Sequence, residues 1–245
     1  MWFNAAMDTK TIAQLNAINR EFYRVTATSF DETRGQPWPG WVTLLPHLQT
    51  PLSVLDVGCG NGRFGLFLAA EMGSDVRYHG IDNNAALLHS AETALQQVTL
   101  EQVQLTNLDI VEQGLPDGAY DLVVAFGVLH HIPGREQREQ FVQKLAAQVK
   151  PGGLLAFATW RFYEFERFRQ RIVPWDVAIT VEPHDYLLDW RRGEVALRYC
   201  HYVDDAEQAA LIAASGLSEI TSYRADGFSG TVNCYSLLRK IEHTP

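Results

Sequence analysis

The chain has 245 residues, 47% of them hydrophobic and 20% charged, with a formal net charge of −9. That length and composition fit one globular domain and exclude disorder as a description of the whole. No apolar run is long enough to cross a membrane as a helix, and the N-terminal stretch lacks the basic flank and apolar core of a secretory signal, so the expected location is the cytoplasm. The acidic balance excludes a global electrostatic hold on nucleic acid; such a contact needs a local basic patch. Three cysteines, Cys59, Cys200 and Cys234, show no metal-ligand spacing. The expectation is reduced thiols, with neither a disulfide framework nor a metal site.

Residues 10–25 read as a helix, and PWPGWVTLLPHL as a second one opened by proline. From Ser53 onward, short apolar runs alternate with helical patterns. SVLDV, VRYHGID, VQLTNL and YDLVVAFG are predicted strands. RFGLFLAAEM is a predicted helix. Asn84 caps another, with Leu87, Leu88, Ala91, Ala94 and Leu95 on one face. REQREQFVQKLAAQV places Phe141, Val142, Leu145, Ala146 and Val149 on one stripe. A turn at Pro151–Gly153 launches LLAFATW as a fifth strand. Continuous apolar strands alternating with helices imply an α/β fold whose parallel sheet is covered on both faces.

The alternation breaks between Trp160 and Cys200. Asp204 and Glu207 then form a candidate capping box, and Gly216 stops the helix they open. LSEITSYRA and GTVNCYSLLRK follow with no helix between them, which predicts an antiparallel hairpin at the sheet edge. The expected organisation is one domain: an N-terminal helical cover over 1–50, a core over 51–160, an inserted cap over 161–203, and a closing helix and strands over 204–245.

The stretch VLDVGCGNGRFG, residues 54–65, sets Gly58, Gly60 and Gly62 between a predicted strand and a predicted helix. Glycine permits the tight turn and lets backbone approach a ligand closely. A dinucleotide fingerprint wants its third glycine where Arg63 stands, so that pattern is not met. Asp56, two residues before the first glycine, suits a ligand carrying an ammonium or sulfonium charge better than a pyrophosphate. Asp82 ends the second strand, placed to accept from both ribose hydroxyls. Asp109 follows the third, placed to accept from an adenine amino group. Taken singly, the loop also reads as a plain strand–helix turn and each acid as a cap or a solvated charge. Three acids at the carboxyl ends of successive strands, where open sheets bind ligands, favour the cofactor reading.

These stretches, with GIDNN, NLDI, YDLVVAFGVLHHI and VKPGGLLAF, cover about residues 52–160 and resemble the class I S-adenosylmethionine-dependent methyltransferases of the type 11-like kind. The resemblance implies a Rossmann-like seven-stranded sheet in the order 3-2-1-4-5-7-6 with its last strand antiparallel, and S-adenosylmethionine as cofactor. It implies Asp56, Gly58 and Gly60 near the methionine end, Asp82 at the ribose, and Asp109 with Ile110 at the adenine. Cys59, Asn83 and Phe126 join them as cofactor-binding positions.

A narrower resemblance runs outside the core. SFDETRGQPWPGWVTLL, LHHI, IVPWD and RYCHY are similar to segments of the methyltransferases that esterify carboxymethyl groups on wobble uridines of tRNA. It implies tRNA as a partner and, by analogy with eukaryotic members, a small zinc-binding activator subunit. Residues 160–200 hold seven arginines, seven acids and nine aromatic residues. Arginine beside aromatics suits base stacking and phosphate contact; the same composition also fits a cap that packs its aromatics and pairs its arginines internally. Trp160, Arg191, Arg192, Arg198 and Tyr199 are the candidate substrate residues.

Methyl transfer from a sulfonium is an in-line displacement that relies on alignment and electrostatics. A carboxylate acceptor is ionised at neutral pH and needs no base; Arg34, Arg198 or a neutral His131 can hold it. A hydroxyl acceptor needs a base, for which His130 and His131 are the candidates, unless both only support the loop. Arg34 has a second reading, as ligand of the cofactor's own carboxylate. His201 reads as structural. The alternative function is a small-molecule O- or N-methyltransferase whose aromatic cap encloses the substrate, and a third is cofactor binding without catalysis.

Overall fold

The structure is a computed structural model and describes residues 6–32, 35–175, 179–192 and 194–242. An N-terminal helix, α1 (Thr9–Glu32), and a 3-10 helix (Pro39–His47) precede the alternating core. The core runs β1 (Leu52–Val57), α2 (Arg63–Met72), β2 (Val76–Asp82), α3 (Ala85–Leu95), β3 (Gln102–Asn107), β4 (Tyr120–Phe126), α4 (Arg135–Ala147) and β5 (Val149–Trp160). After it come α5 (Glu166–Arg169), β6 (Ile172–Val173), β7 (Asp185–Arg192) and β8 (Glu194–His201), and then α6 (Asp205–Ser215), β9 (Ser218–Ala225) and β10 (Asn233–Arg239).

The main sheet has seven strands in the order β3-β2-β1-β4-β5-β10-β9. The first five are mutually parallel, and β10 runs antiparallel to both β5 and β9. This is the Rossmann-like order that the motifs imply. Every residue of β1 is buried, because helices cover both faces. Leu52 and Val54 pack on one side with Phe64, Leu68 and Tyr78, and Leu55 and Val57 on the other with Phe141, Val142 and Leu145. Each such side chain contributes about 1.5–3 kcal/mol on burial. The strands are therefore set by the same apolar runs that mark them in the sequence.

Three local features depart from expectation. The proline-opened segment is a 3-10 helix, with Pro46 inside it unable to donate a backbone hydrogen bond. Pro151–Gly153 is no separate turn but lies within β5 at a break in register, where Tyr120 faces Val149 and Leu122 faces Leu154. Gly152 there has φ 78°, and its N–H donates to the Lys240 carbonyl, so this is a bulge that glycine makes cheap. At α6 only half of the capping box forms. Asp204 accepts from the Glu207 N–H, but the Glu207 carboxylate turns to Arg138 and His201.

Residues 161–203 hold a second, three-stranded antiparallel sheet, β6-β7-β8. Arg138 on α4, almost wholly buried, ties it down by pairing at 2.9 Å with Glu182 before β7 and at 2.6 Å with Glu207 on α6. His201 bridges Asp185 and Glu207 at 2.7 Å each, in keeping with its structural reading. All three cysteines are free and buried. No helix among the described residues is long and apolar enough to cross a membrane.

Candidate active site

β1 lies between β2 and β4, so the strand order reverses beside it, and a crevice opens at the strands' carboxyl ends. The loop after β1 turns there through Gly58, Gly60 and Gly62, with φ of 75°, 54° and 76°. Gly58 and Cys59 donate their backbone N–H groups to the Ile81 carbonyl at 2.8 and 3.0 Å, which fastens the loop to the end of β2. A Cβ on Gly58 would meet Val128 Cγ2 at 2.4 Å, so Gly58 is required by packing as well as by handedness. A Cβ on Gly60 would meet nothing within 4 Å, and Gly60 faces the cavity.

That cavity has a volume of about 530 Å3 and two ends. The first end is lined by Asp56, Gly58, Cys59, Gly60, Asp82, Asn83, Asp109, Ile110 and Phe126. Nine of the ten expected cofactor positions therefore converge; the tenth, Arg34, lies outside the described residues. Asp56 accepts from the Tyr78 hydroxyl at 2.6 Å. Burial raises its pKa to about 7, the Tyr78 bond opposes that, and the Asp82 charge adds to it. A cationic ligand would reverse this shift. Asp82 accepts from the Gly60 and Asn84 N–H groups at 2.9 Å each, and burial raises its pKa too. The Cys59 thiol is buried and pushed up in pKa by desolvation, so it is a wall and not a nucleophile.

Asp109 is more occupied than its expected adenine contact requires. One carboxylate oxygen takes the Val111 and Glu112 N–H groups at 3.0 and 3.3 Å, and the other takes the Asn16 amide at 3.0 Å. It holds its own turn and pins α1 across the cavity. The apolar walls beside it, Leu108 and Ile110, suit the face of a planar base.

The second end is lined by Tyr23, His130, His131, Trp160, Trp190 and Arg198, with Arg167, Arg171 and Phe228 toward the mouth. His131 Nδ1 lies 3.0 Å from the Tyr199 carbonyl oxygen, which can only accept, so Nδ1 carries the proton. Nε2 then accepts from the Tyr23 hydroxyl at 2.9 Å. Burial, and after it the Arg198 charge, hold the ring's pKa at about 3. His131 is thus neutral, with both nitrogens engaged, which is poor geometry for a base. His130 is buried, its ring 4.1 Å from that of His131 and 5.5 Å from that of Trp160. The Arg198 guanidinium sits 4.8 Å from the Trp160 ring and 5.1 Å from that of Phe22. No described carboxylate forms an ion pair with it.

Tyr199, a candidate substrate residue, does not line the cavity. It is fully buried, its hydroxyl on Asp185 at 2.7 Å and its N–H on Asn19 Oδ1 at 2.9 Å. Its strand alternation turns it away from the face that Arg198 presents. The side chains of Arg191 and Arg192 lie outside the described residues. Among the other arginines, Arg161 is buried on the Val203 carbonyl and Arg169 pairs with Glu166; neither lines the cavity.

Sequence reasoning missed Arg63, Trp38 and three residues of α1: Asn16, Asn19 and Tyr23. A signal existed for α1. Thr11, Asn16, Asn19 and Thr26 are polar yet buried beside Leu15 and Phe22, and polar side chains in the apolar stripe of a helix need partners elsewhere in the fold.

Residues 55–155 match a family described as a methyltransferase domain. The chain is 25% identical over 162 residues to the probable tRNA methyltransferase 9B of Bos taurus, covering 65% of this chain and 33% of that one. It is 28% identical over 140 residues to the tRNA (carboxymethyluridine(34)-5-O)-methyltransferase of Mus musculus, covering 57% of this chain and 19% of that one. The chain therefore spans a third or less of the length of these relatives. Its fold is similar to the crystal structure of a SAM-dependent methyltransferase from Methanosarcina mazei, with a TM-score of 0.67 at 20% identity, covering 85% of this chain and 100% of that one. The match over residues 55–155 is thus to a methyltransferase domain, and one structure of similar fold, the N-methyltransferase NodS of Bradyrhizobium japonicum at 18% identity and a TM-score of 0.56, holds S-adenosyl-l-homocysteine.

Proposed function

We propose that the chain esterifies a carboxylate, and that the carboxylate is the carboxymethyl group of a wobble uridine in tRNA. The observation that carries this reading is Arg198. Its guanidinium stands between Trp160 and Phe22, beside a neutral His131, and pairs with no described carboxylate. A cation held in that way is set for an incoming anion. Bound cofactor supplies an electrophilic methyl group. The methyl group would pass to the acceptor oxygen while the cofactor's sulfur kept the electron pair of the carbon–sulfur bond. No proton moves, so the occupied nitrogens of His131 are no handicap. Arg198 orients the acceptor, Tyr23 and His131 form a fixed neutral wall, and alignment supplies the rate.

The mouth supports a nucleic-acid acceptor. Arg167 is exposed and lies 4.5 Å from the ring of Phe228, which is itself 59% exposed. An exposed arginine on an exposed ring, at the rim of a cavity, is a platform on which a base can stack. The names of two relatives favour the same acceptor.

The test is mass spectrometry of nucleosides from tRNA that carries unesterified carboxymethyluridine, after incubation with the chain and labelled cofactor. It is run with and without a small zinc-binding subunit of the kind the resemblance implies. The expected product is the labelled methyl ester of that nucleoside. No label in tRNA in either arm, with label transferred to a small molecule, would replace this reading by the small-molecule one.

A further inference from the structure

Arg63 is the first residue of α2, directly after Gly62. It enters no motif as a functional residue. Its guanidinium lies 5.2 Å from the Trp38 ring and 5.4 Å from that of Trp41, and its Nη1 donates to the Gln36 carbonyl at 3.0 Å. It lines the same cavity as Asp56 and feels the charge of that carboxylate. It forms no ion pair among the described residues. The two acids whose charges it feels are engaged by others: Asp56 by Tyr78, and Asp226 by the Gly40 N–H, the Asn233 amide and the Tyr235 hydroxyl.

A half-buried guanidinium without a counter-ion is costly unless an anion arrives. The cofactor brings one carboxylate, on the same amino-acid end that brings an ammonium group. Asp56 offers the negative charge for the ammonium; the matching positive charge must stand within the same end of the cavity. We propose that Arg63 binds the α-carboxylate of the cofactor, completing with Asp56 a clamp for an amino-acid zwitterion. Trp38 and Trp41 flank the planar guanidinium, and a guanidinium has further N–H groups, besides the one on Gln36, with which to meet a carboxylate. This assigns to Arg63 the role that the sequence alone suggested for Arg34. It also explains why arginine replaces the third glycine of a dinucleotide loop: the ligand here has a carboxylate to be met where a dinucleotide has none.

Calorimetric titration tests this with three ligands: S-adenosylhomocysteine, its decarboxylated analogue, and 5′-methylthioadenosine, which lacks the whole amino-acid group. Arg63→Gln should lower affinity for the first by about 10- to 100-fold and change the other two by no more than about twofold. Arg63→Lys should recover part of the loss. An equal loss for all three ligands would make Arg63 a structural support. No loss for any, or a carboxylate-selective loss in Arg34→Gln instead, would also overturn the proposal. If the Arg63 variants do not fold, wild-type fluorescence decides. S-adenosylhomocysteine, but not the decarboxylated analogue, should change the emission that Trp38→Phe removes, and the same change with both ligands would refute it. No acceptor is present in these titrations, so they stand or fall apart from the esterification reading.

Discussion

The two ends of the cavity are built on different principles. The cofactor end is assembled from short-range sequence. Asp56, Gly58 and Gly60 follow from β1, Asp82 and Asn83 from β2, and Asp109 and Ile110 from β3, each within a few residues of a strand's carboxyl end. The end proposed for the acceptor is assembled from distance. Tyr23 comes from α1, His131 from the turn after β4, Trp160 from the end of β5, Arg198 from β8 and Phe228 from the loop between β9 and β10. The first end is fixed once the sheet forms. The second depends on how a helix, a small sheet and a hairpin loop pack against it. A shared cofactor and a particular acceptor can therefore be served by one sheet, because the parts that choose the acceptor are separable from the strand ends.

The largest expected effect breaks the cofactor end. Gly58→Val places a Cβ 2.4 Å from Val128 Cγ2 at a φ of 75°. It should cost roughly 3 kcal/mol or more of stability and abolish S-adenosylhomocysteine binding. A melting curve and a titration check it; a variant that melts and binds normally would make the loop a turn and nothing more. The acceptor end should break separately. Arg198→Gln should lower kcat/KM for the carboxylate acceptor by on the order of 100-fold while cofactor affinity holds. A fall in cofactor affinity of similar size would erase the distinction between the two ends. Asp82→Ala should weaken cofactor binding by about 1.5–3 kcal/mol, because the lost carboxylate also frees the Gly60 and Asn84 N–H groups. Calorimetry on the folded variant checks it.

This contrast also sets what could be read from the sequence. Strand and helix positions in the core were legible because burial on both faces leaves an apolar run, and helix stripes leave a 3.6-residue period. The glycine loop and its acids were legible because their spacing is local. Asp109 lines the cavity after β3, but its protein donors were not legible, since Asn16 is 93 positions away. Tyr199 was assigned to substrate as one of the aromatics beside arginines in residues 160–200, whereas strand alternation sends it to the face opposite Arg198. With no strand register known for residues 185–201, the sequence had no means to choose between them. Arg63 was noticed only as a missing glycine, because a counter-ion that arrives with the ligand leaves no mark in the chain.

A further effect is a difference in sign between the two ends. His131 is held at about pKa 3, against 6.5 ordinarily, by burial and then by Arg198. Its contribution to stability is present above about pH 6.5 and lost as pH falls toward about 3. Asp56 is raised by burial from 3.8 to about 7. Its contribution is present below about pH 4 and lost as pH rises through about 7. The two slopes oppose each other between about pH 4 and 6.5, each at most about 1.4 kcal/mol per pH unit. Relative to wild type, His131→Asn should therefore gain melting temperature on acidification through that range, and Asp56→Asn should lose it. Parallel shifts in the two variants would mean that burial does not hold both groups neutral, one by keeping its proton off and the other by keeping it on.

The central claim is that the acceptor is an ionised carboxylate, esterified with no base. The most direct measurement is the fate of the transferred methyl group under mild alkali. After a single turnover with labelled cofactor on tRNA bearing carboxymethyluridine, the label should be released as volatile methanol, as only an ester allows. Label that survives alkali as an ether or an N-methyl group would contradict the claim, and would return His130, His131 and Tyr23 to consideration as bases.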